Sequence, residues 1–284
     1  MYEIKRLVGY LCGFILFYAP FAFYQKAIFA LLGEANYADI HDFCLRIPLE
    51  HIWRGRILAQ LNLETITMFL LLGSAFFIGP FFCGRLCIAG AIGEYLSRLL
   101  PDKWKIDWGR HVDPAPIRYG ILAGFLLSPF WGGYLACAYC NYRLVEAGFS
   151  YFIFDERTVL SSSVLVTGLL WLLVFGLFTK GGRGFCNFIC PVGAVQNLLH
   201  WLGTKFSFAY RIQIKESQCT KCGKCIKRCP MGAIQLHDDA TLSHAIHHCI
   251  TCKQCVEICP FQAITYQQQL PANQQKEVNL CDKQ

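Results

Sequence analysis

Eight cysteines toward the C-terminal end repeat one spacing, Cys219-x2-Cys222-x2-Cys225-x3-Cys229-Pro230 and Cys249-x2-Cys252-x2-Cys255-x3-Cys259-Pro260. Three closely spaced thiolates can wrap one face of an iron-sulfur cubane. A fourth, followed by a proline that turns the chain away, reaches the neighbouring cubane. The spacing predicts two [4Fe-4S] clusters, one on Cys219, Cys222, Cys225 and Cys259, the other on Cys249, Cys252, Cys255 and Cys229. Structural zinc would call for two Cys-x2-Cys pairs separated by a longer spacer. One-electron chemistry is therefore expected of this chain.

A second repeat lies upstream. Phe82-Cys83-x3-Cys87-x2-Gly90-Ala91-Ile92 is echoed by Phe185-Cys186-x3-Cys190-x2-Gly193-Ala194-Val195. Pro191 suits the first turn of a helix, placing Cys190 near a helix N-terminus, where the dipole favours thiolate; the first copy has Ile88 instead. Cys83, Cys87, Cys186 and Cys190 form a candidate additional redox or metal site. Four readings stay open for them: an iron-sulfur centre, a copper or zinc site, a dithiol-disulfide couple, or plain apolar packing. Cys137-x2-Cys140 has no repeat partner and reads equally as a relay or as structural, while Cys12, Cys44 and Cys281 stand alone.

The elements that must carry these thiols are announced by composition, with 55% of the 284 residues hydrophobic and only 16% charged. Four stretches lack charge long enough to cross a bilayer: Leu7 to Tyr24, Thr65 to Phe82, Tyr119 to Tyr142 and Thr158 to Thr179. The expected fold is an α-helical membrane protein with four transmembrane helices in two parallel repeats, plus a small α+β two-cluster bacterial ferredoxin domain. The expected boundaries are a membrane domain over 1–205, a ferredoxin domain over 206–266 and a disordered, glutamine-rich tail over 267–284. Basic residues Arg98, Lys103, Lys105, Arg110, Arg118, Lys180 and Arg183 mark the inside-facing loops. They predict a multi-pass protein of the bacterial cytoplasmic (inner) membrane with both termini cytoplasmic, a reducing compartment that suits free thiols. The net charge of +7 is spread over these loops, with no separate basic domain for nucleic acid.

Haem is not expected, because none of the eight histidines lies in a proposed span and no Cys-x-x-Cys-His occurs. In the first outer loop His41, Asp42, His51, Arg54 and Arg56 beside Phe43, Ile52 and Trp53 are candidates for a quinol site or for headgroup contacts. Ile226, Ile234, Val256 and Ile264 are expected to form the core of a ferredoxin unit built from two hairpins and two short helices.

The paired Cys-x3-Cys motifs followed by the two-cluster octet make the chain resemble the ferredoxin-type polytopic membrane proteins of the NapH and MauN type. The resemblance covers nearly everything up to Tyr266, and Ile88 departs from the family's Cys-Pro pattern. It implies a quinol dehydrogenase component that passes electrons between membrane quinol and a partner iron-sulfur protein or cytochrome. The alternatives are an electron-donating maturation factor or copper reductase, and a structural anchor of a redox complex. No catalytic residue is assigned.

Overall fold

The computed structural model describes residues 2–18, 21–32, 55, 63–131, 140–154, 162–237 and 241–268. Two helices open the chain, α1 (Tyr2–Phe17) and α2 (Phe23–Leu32). Next comes a first helical copy: α3 (Leu63–Ile78), α4 (Phe81–Arg85) and α5 (Ile88–Ser97). The connecting region holds α6 (Trp108–His111), α7 (Pro114–Leu127) and α8 (Asn141–Phe154). A second copy follows with α9 (Ser162–Leu169), running on as a π-helix over Leu170–Leu177, then α10 (Gly184–Phe188) and α11 (Pro191–Gly203).

The copies are interleaved. The helix entering the first copy, α3, packs on α11, which leaves the second, and the π-helix that enters the second packs on α5, which leaves the first. Small residues allow the approach: a Cβ at Gly203 would strike the Phe76 carbonyl, and one at Gly93 the Gly182 carbonyl. The interleaving brings both Cys-x3-Cys turns to the middle of the molecule. Ile106 also forms an isolated parallel bridge with Thr179, tying the segments that follow α5 and the π-helix together.

The four-span expectation is overturned. The two longest helices described, α1 and α3, have 16 residues each. At about 1.5 Å per residue these reach roughly 24 Å, short of a hydrocarbon core of about 30 Å. Among the described residues no helix is long and apolar enough to cross a membrane. The multi-pass inner-membrane placement and its topology fall with it. Each uncharged stretch meets a break. The first is divided between Phe17 and Phe23, where Ala22 takes a positive φ of 42°. The second stops at Gly79 (φ 74°) and Pro80, a left-handed residue followed by one that cannot extend a helix. The third tightens into a 3₁₀ turn at Ser128–Trp131 around Pro129, and the fourth changes to π register.

Absence of charge reports apolarity, and helix continuity is a separate property. The basic residues that were to face the cytoplasm have other work. Lys105 pairs with Asp102, Lys180 with Asp107, and Arg98 with Glu3 and Glu94, while Arg118 and Arg183 lie in the interior.

The C-terminal unit contains β1 (Tyr210–Ile214), α12 (Lys224–Arg228), β2 (Ile234–Leu236), β3 (Leu242–His244), α13 (Gln254–Ile258) and β4 (Ile264–Gln268). β2 and β3 pair antiparallel, as an expected hairpin would. β1 instead pairs antiparallel with β4, from Tyr210 opposite Gln268 to Ile214 opposite Ile264, closing the unit on itself. Gln267 and Gln268, expected in the tail, belong to this strand. Ile212, Ile234 and Ile264 are buried between the sheets and helices, with Ile226 and Val256 packed beside them.

Candidate iron-sulfur centres

The cysteine octet surrounds two voids. One is lined by Cys229, Cys249, Cys252 and Cys255; the other by Cys219, Cys222, Cys225 and Cys259. These are the two ligand sets expected from the spacing, with the fourth cysteine of each run crossing to the other void. The loops between the cysteines turn by left-handed residues at matched positions: Lys221 and Thr251, Gly223 and Lys253, Gly232 and Gln262, with φ between 49° and 70°. Such turns aim backbone N–H groups inward. Ala233 N donates to Cys229 Sγ at 3.2 Å and Thr251 N to Cys249 Sγ at 3.3 Å. Two voids, four soft sulfur donors around each and inward amides fit a [4Fe-4S] cluster in each position. Among the described residues no three His, Cys, Asp or Glu side chains converge as they would on a single metal ion.

Burial raises the inner thiols, Cys229 to about 11 and Cys249 to about 12. Ligation there must displace protons. Cys222 is exposed, and its pKa is lowered, chiefly by the backbone N–H of Lys224.

The two halves of this unit have opposite surroundings. Around the Cys219 loop, Lys221, Cys222, Lys224 and Lys227 are exposed. Around the Cys249 loop the equivalent Thr251, Cys252 and Gln254 are buried against the helical body. Asn197 on α11 donates to the carbonyls of Ile246 (2.7 Å) and Cys249 (3.0 Å). Asn187 on α10 hydrogen-bonds His248 Nδ1 at 2.9 Å, Tyr266 donates to the Ile78 carbonyl at 2.7 Å, and Tyr2 donates to the Cys252 carbonyl.

Beneath that contact lie the upstream thiols. Cys83 and Cys186 pack with Cys229, Cys249 and Cys252 around Met231, Ala233 and Ile250. Cys87 and Cys190 pack next to the neighbouring core of Tyr18, Ala89, Trp171 and Phe185. All four are within electrostatic range of one another. Cys87 and Cys190 each occupy the N-cap position of a helix. Burial raises Cys87 to about 11, opposed by the N–H of Gly90 and then that of Ala89; Cys190 is raised by burial and opposed by Gly193 and Val192. Ile88 therefore leaves its cysteine in the same position as Pro191 leaves Cys190.

A buried ion network surrounds this nest. Glu94 accepts from Arg6 at 2.8 Å and 2.9 Å and from Arg183 Nε at 2.7 Å; Arg183 also donates to the Cys83 carbonyl at 2.9 Å. Sequence reading missed it by counting Arg118 and Arg183 as loop charges. A signal was present, since Arg183 and Glu94 lie within a helical turn of the cysteine motifs. Cys140 is half-buried, Cys12 is exposed, and Cys137, Cys44, Cys281 and the His41 to Arg56 candidates lie outside the described residues.

A 4Fe-4S dicluster domain family matches residues 211–260. This is an iron-sulfur protein with two [4Fe-4S] clusters. A second family, a 4Fe-4S binding domain, matches the chain twice upstream, over 63–107 and 164–209, one match on each helical copy. The methylamine utilization ferredoxin-type protein MauN of Methylorubrum extorquens is 28% identical over 64% of this chain and 58% of its own length. The chain thus spans less than two thirds of that relative. An uncharacterised protein of Methanocaldococcus jannaschii is 24% identical over 71% of this chain and 69% of its own. No solved structure matches.

Proposed function

We propose that this protein links a quinol to a partner redox enzyme, with Cys219, Cys222, Cys225 and Cys259 holding an outer cluster and Cys249, Cys252, Cys255 and Cys229 an inner one. Cys83, Cys87, Cys186 and Cys190 hold a third iron-sulfur centre at the buried end of the same line. The observation that carries this reading is the shared apolar layer in which Cys83 and Cys186 pack with Cys229, Cys249 and Cys252, while Cys222 lies on the opposite, exposed side. When bound, such clusters take and give single electrons, so a two-electron donor can be oxidised stepwise.

The chain's residues divide the remaining tasks. The Asn187 and Asn197 amides hold the inner loop against the helical body. Lys221, Lys224 and Lys227 present a positive rim around Cys222 that suits an acidic partner. Quinol must also lose protons. His247 is the base for this: burial and then Arg118 lower its pKa from the ordinary histidine value. Tyr119 OH is 2.6 Å from its Nδ1. The quinol itself is suggested by the NapH and MauN resemblance, and the M. extorquens relative is named for methylamine utilization.

Anaerobic protein mixed with a menaquinol analogue is expected to show cluster bleaching, slowed in a His247→Ala variant. Reduction by dithionite with no response to quinol at any concentration would reject the quinol link. Copper(II) reduction that depends on Cys186 and Cys190, with quinol inert, would move the protein to metal reduction.

A further inference from the structure

The charges buried around the cysteine nest do not balance. Arg6, Arg118, Arg183 and Glu94 are each no more than 2% exposed. Glu94 serves Arg6 and Arg183 together, and Arg98 reaches it from outside. Among the described residues no carboxylate pairs with Arg118. Its NH1 donates to the His247 carbonyl at 2.6 Å, its NH2 reaches Asn197 Oδ1 at 3.5 Å, and its Nε has no hydrogen-bond partner. Three buried guanidinium groups thus face one carboxylate. An unpaired buried charge is among the costliest features a fold can contain.

The repeat makes room for these groups crosswise. A Cβ at Gly90, after the first cysteine pair, would strike the Arg183 guanidinium; one at Gly193, after the second, would lie 2.5 Å from Arg118 NH2. The glycine shared by both motifs is the position against which an arginine rests. After burial, the largest influences on Arg118 are the charges that Cys190 and then Cys83 would carry as thiolates, and Cys83 Sγ is 3.7 Å from Gln196 Oε1. Four neutral thiols would leave Arg118 without a counterion and Glu94 shared between Arg6 and Arg183, whereas four thiolates around an iron-sulfur cubane bring net negative charge that grows on reduction.

We propose that Arg118 and Arg183 are the built-in counter-charges of an anionic [4Fe-4S] centre on Cys83, Cys87, Cys186 and Cys190, and that Arg118, which has no carboxylate of its own, is the residue that sets this centre's reduction potential. The inference rests on the third-centre reading given above. Arg118 acts as a positioning and tuning residue: its charge favours the more negative reduced state, and its contact with the His247 carbonyl joins the nest to the inner cluster's loop.

The test uses the full-length, anaerobically purified protein, with iron and sulfide counts and EPR-monitored redox titration. Arg118→Gln is expected to shift the nest centre's midpoint to more negative potential and leave the outer cluster where it was. Arg118→Lys, which keeps the charge, is expected to stay near the unmodified value. Gln196→Glu keeps Arg118 and adds the opposite charge beside Cys83, so it must shift the same midpoint in the same direction even if Arg118→Gln does not fold. An unchanged nest potential in Arg118→Gln or in Gln196→Glu, or an equal shift in Arg118→Lys, overturns the tuning role while the third centre stands. Iron accounting for two clusters only, and unaltered by Cys186→Ser, overturns the third centre and this inference together.

Discussion

The two cluster-binding loops have the same cysteine spacing and the same left-handed turns, yet one faces outward and the other is sealed against the helical body. The difference lies in the residues between the cysteines. Lys221 and Lys224 in the outer loop correspond to Thr251 and Gln254 in the inner one, and the latter two are 1% and 2% exposed. Ligand geometry is therefore separable from environment. The cysteines decide that a cluster binds, and their neighbours decide whether it meets a partner or another part of the same molecule.

The largest test of this contrast removes one thiol from each loop. Cys252→Ala is expected to lose the inner cluster and, with it, the docking against α10 and α11, whereas Cys222→Ala should cost the outer cluster alone. Iron content and thermal unfolding measured side by side would show it. Equal destabilisation by the two variants would erase the distinction.

Acid should also act on one side only. Burial lowers His200, His244 and His248 to about 4, and all three lie on or beside the inner half. A histidine whose folded pKa lies below its unfolded one contributes stability above the unfolded value, near 6.5, and loses it as pH falls toward 4. For His200 alone this reaches roughly 3 kcal/mol. Unfolding midpoints compared across that window should fall steeply for the unmodified protein and less steeply for His200→Gln; parallel curves would mean that His200 is not buried neutral.

On the outer side the expected effects are kinetic. Reversing Lys221 and Lys224 to glutamate should slow oxidation by an anionic reagent such as ferricyanide by about tenfold at low salt, with the difference vanishing at high salt. Salt-independent slowing would point to damage at Cys222 rather than steering. The smallest effect concerns the matched turn at Gly232 and Gln262, where exposed Gln262 adopts φ 50°. Gln262→Gly should stabilise the protein by about 1 kcal/mol, seen as a higher denaturation midpoint with unchanged iron.

The cysteine positions were legible because a cubane imposes short, fixed intervals that few other structures share. The ferredoxin core was legible in part: Ile234 and Ile264 repeat with the motif, but the closure of β1 on β4 joins segments that no local pattern links. The helices misled. An uncharged run reports apolarity, while Gly79-Pro80 and Pro129 inside such runs interrupt the helix whatever its apolarity. Arg118 and Arg183 were visible, but their meaning depends on burial, which a charge count does not contain. Which cluster faces outward could have been read from Lys221 and Lys224 against Thr251 and Gln254, since a lysine between ligands is costly to seal from water.

The exchange of packing partners between the helical copies makes each copy depend on the other. A polypeptide with a single copy would expose both the entering and the leaving helix along their contact faces, with half of the nest's sulfur donors missing. It could complete itself by meeting an identical molecule, and the tandem arrangement supplies that partner surface within one chain. Separate expression of the halves before Leu99 and after Ser161 should then yield two insoluble pieces that become soluble together.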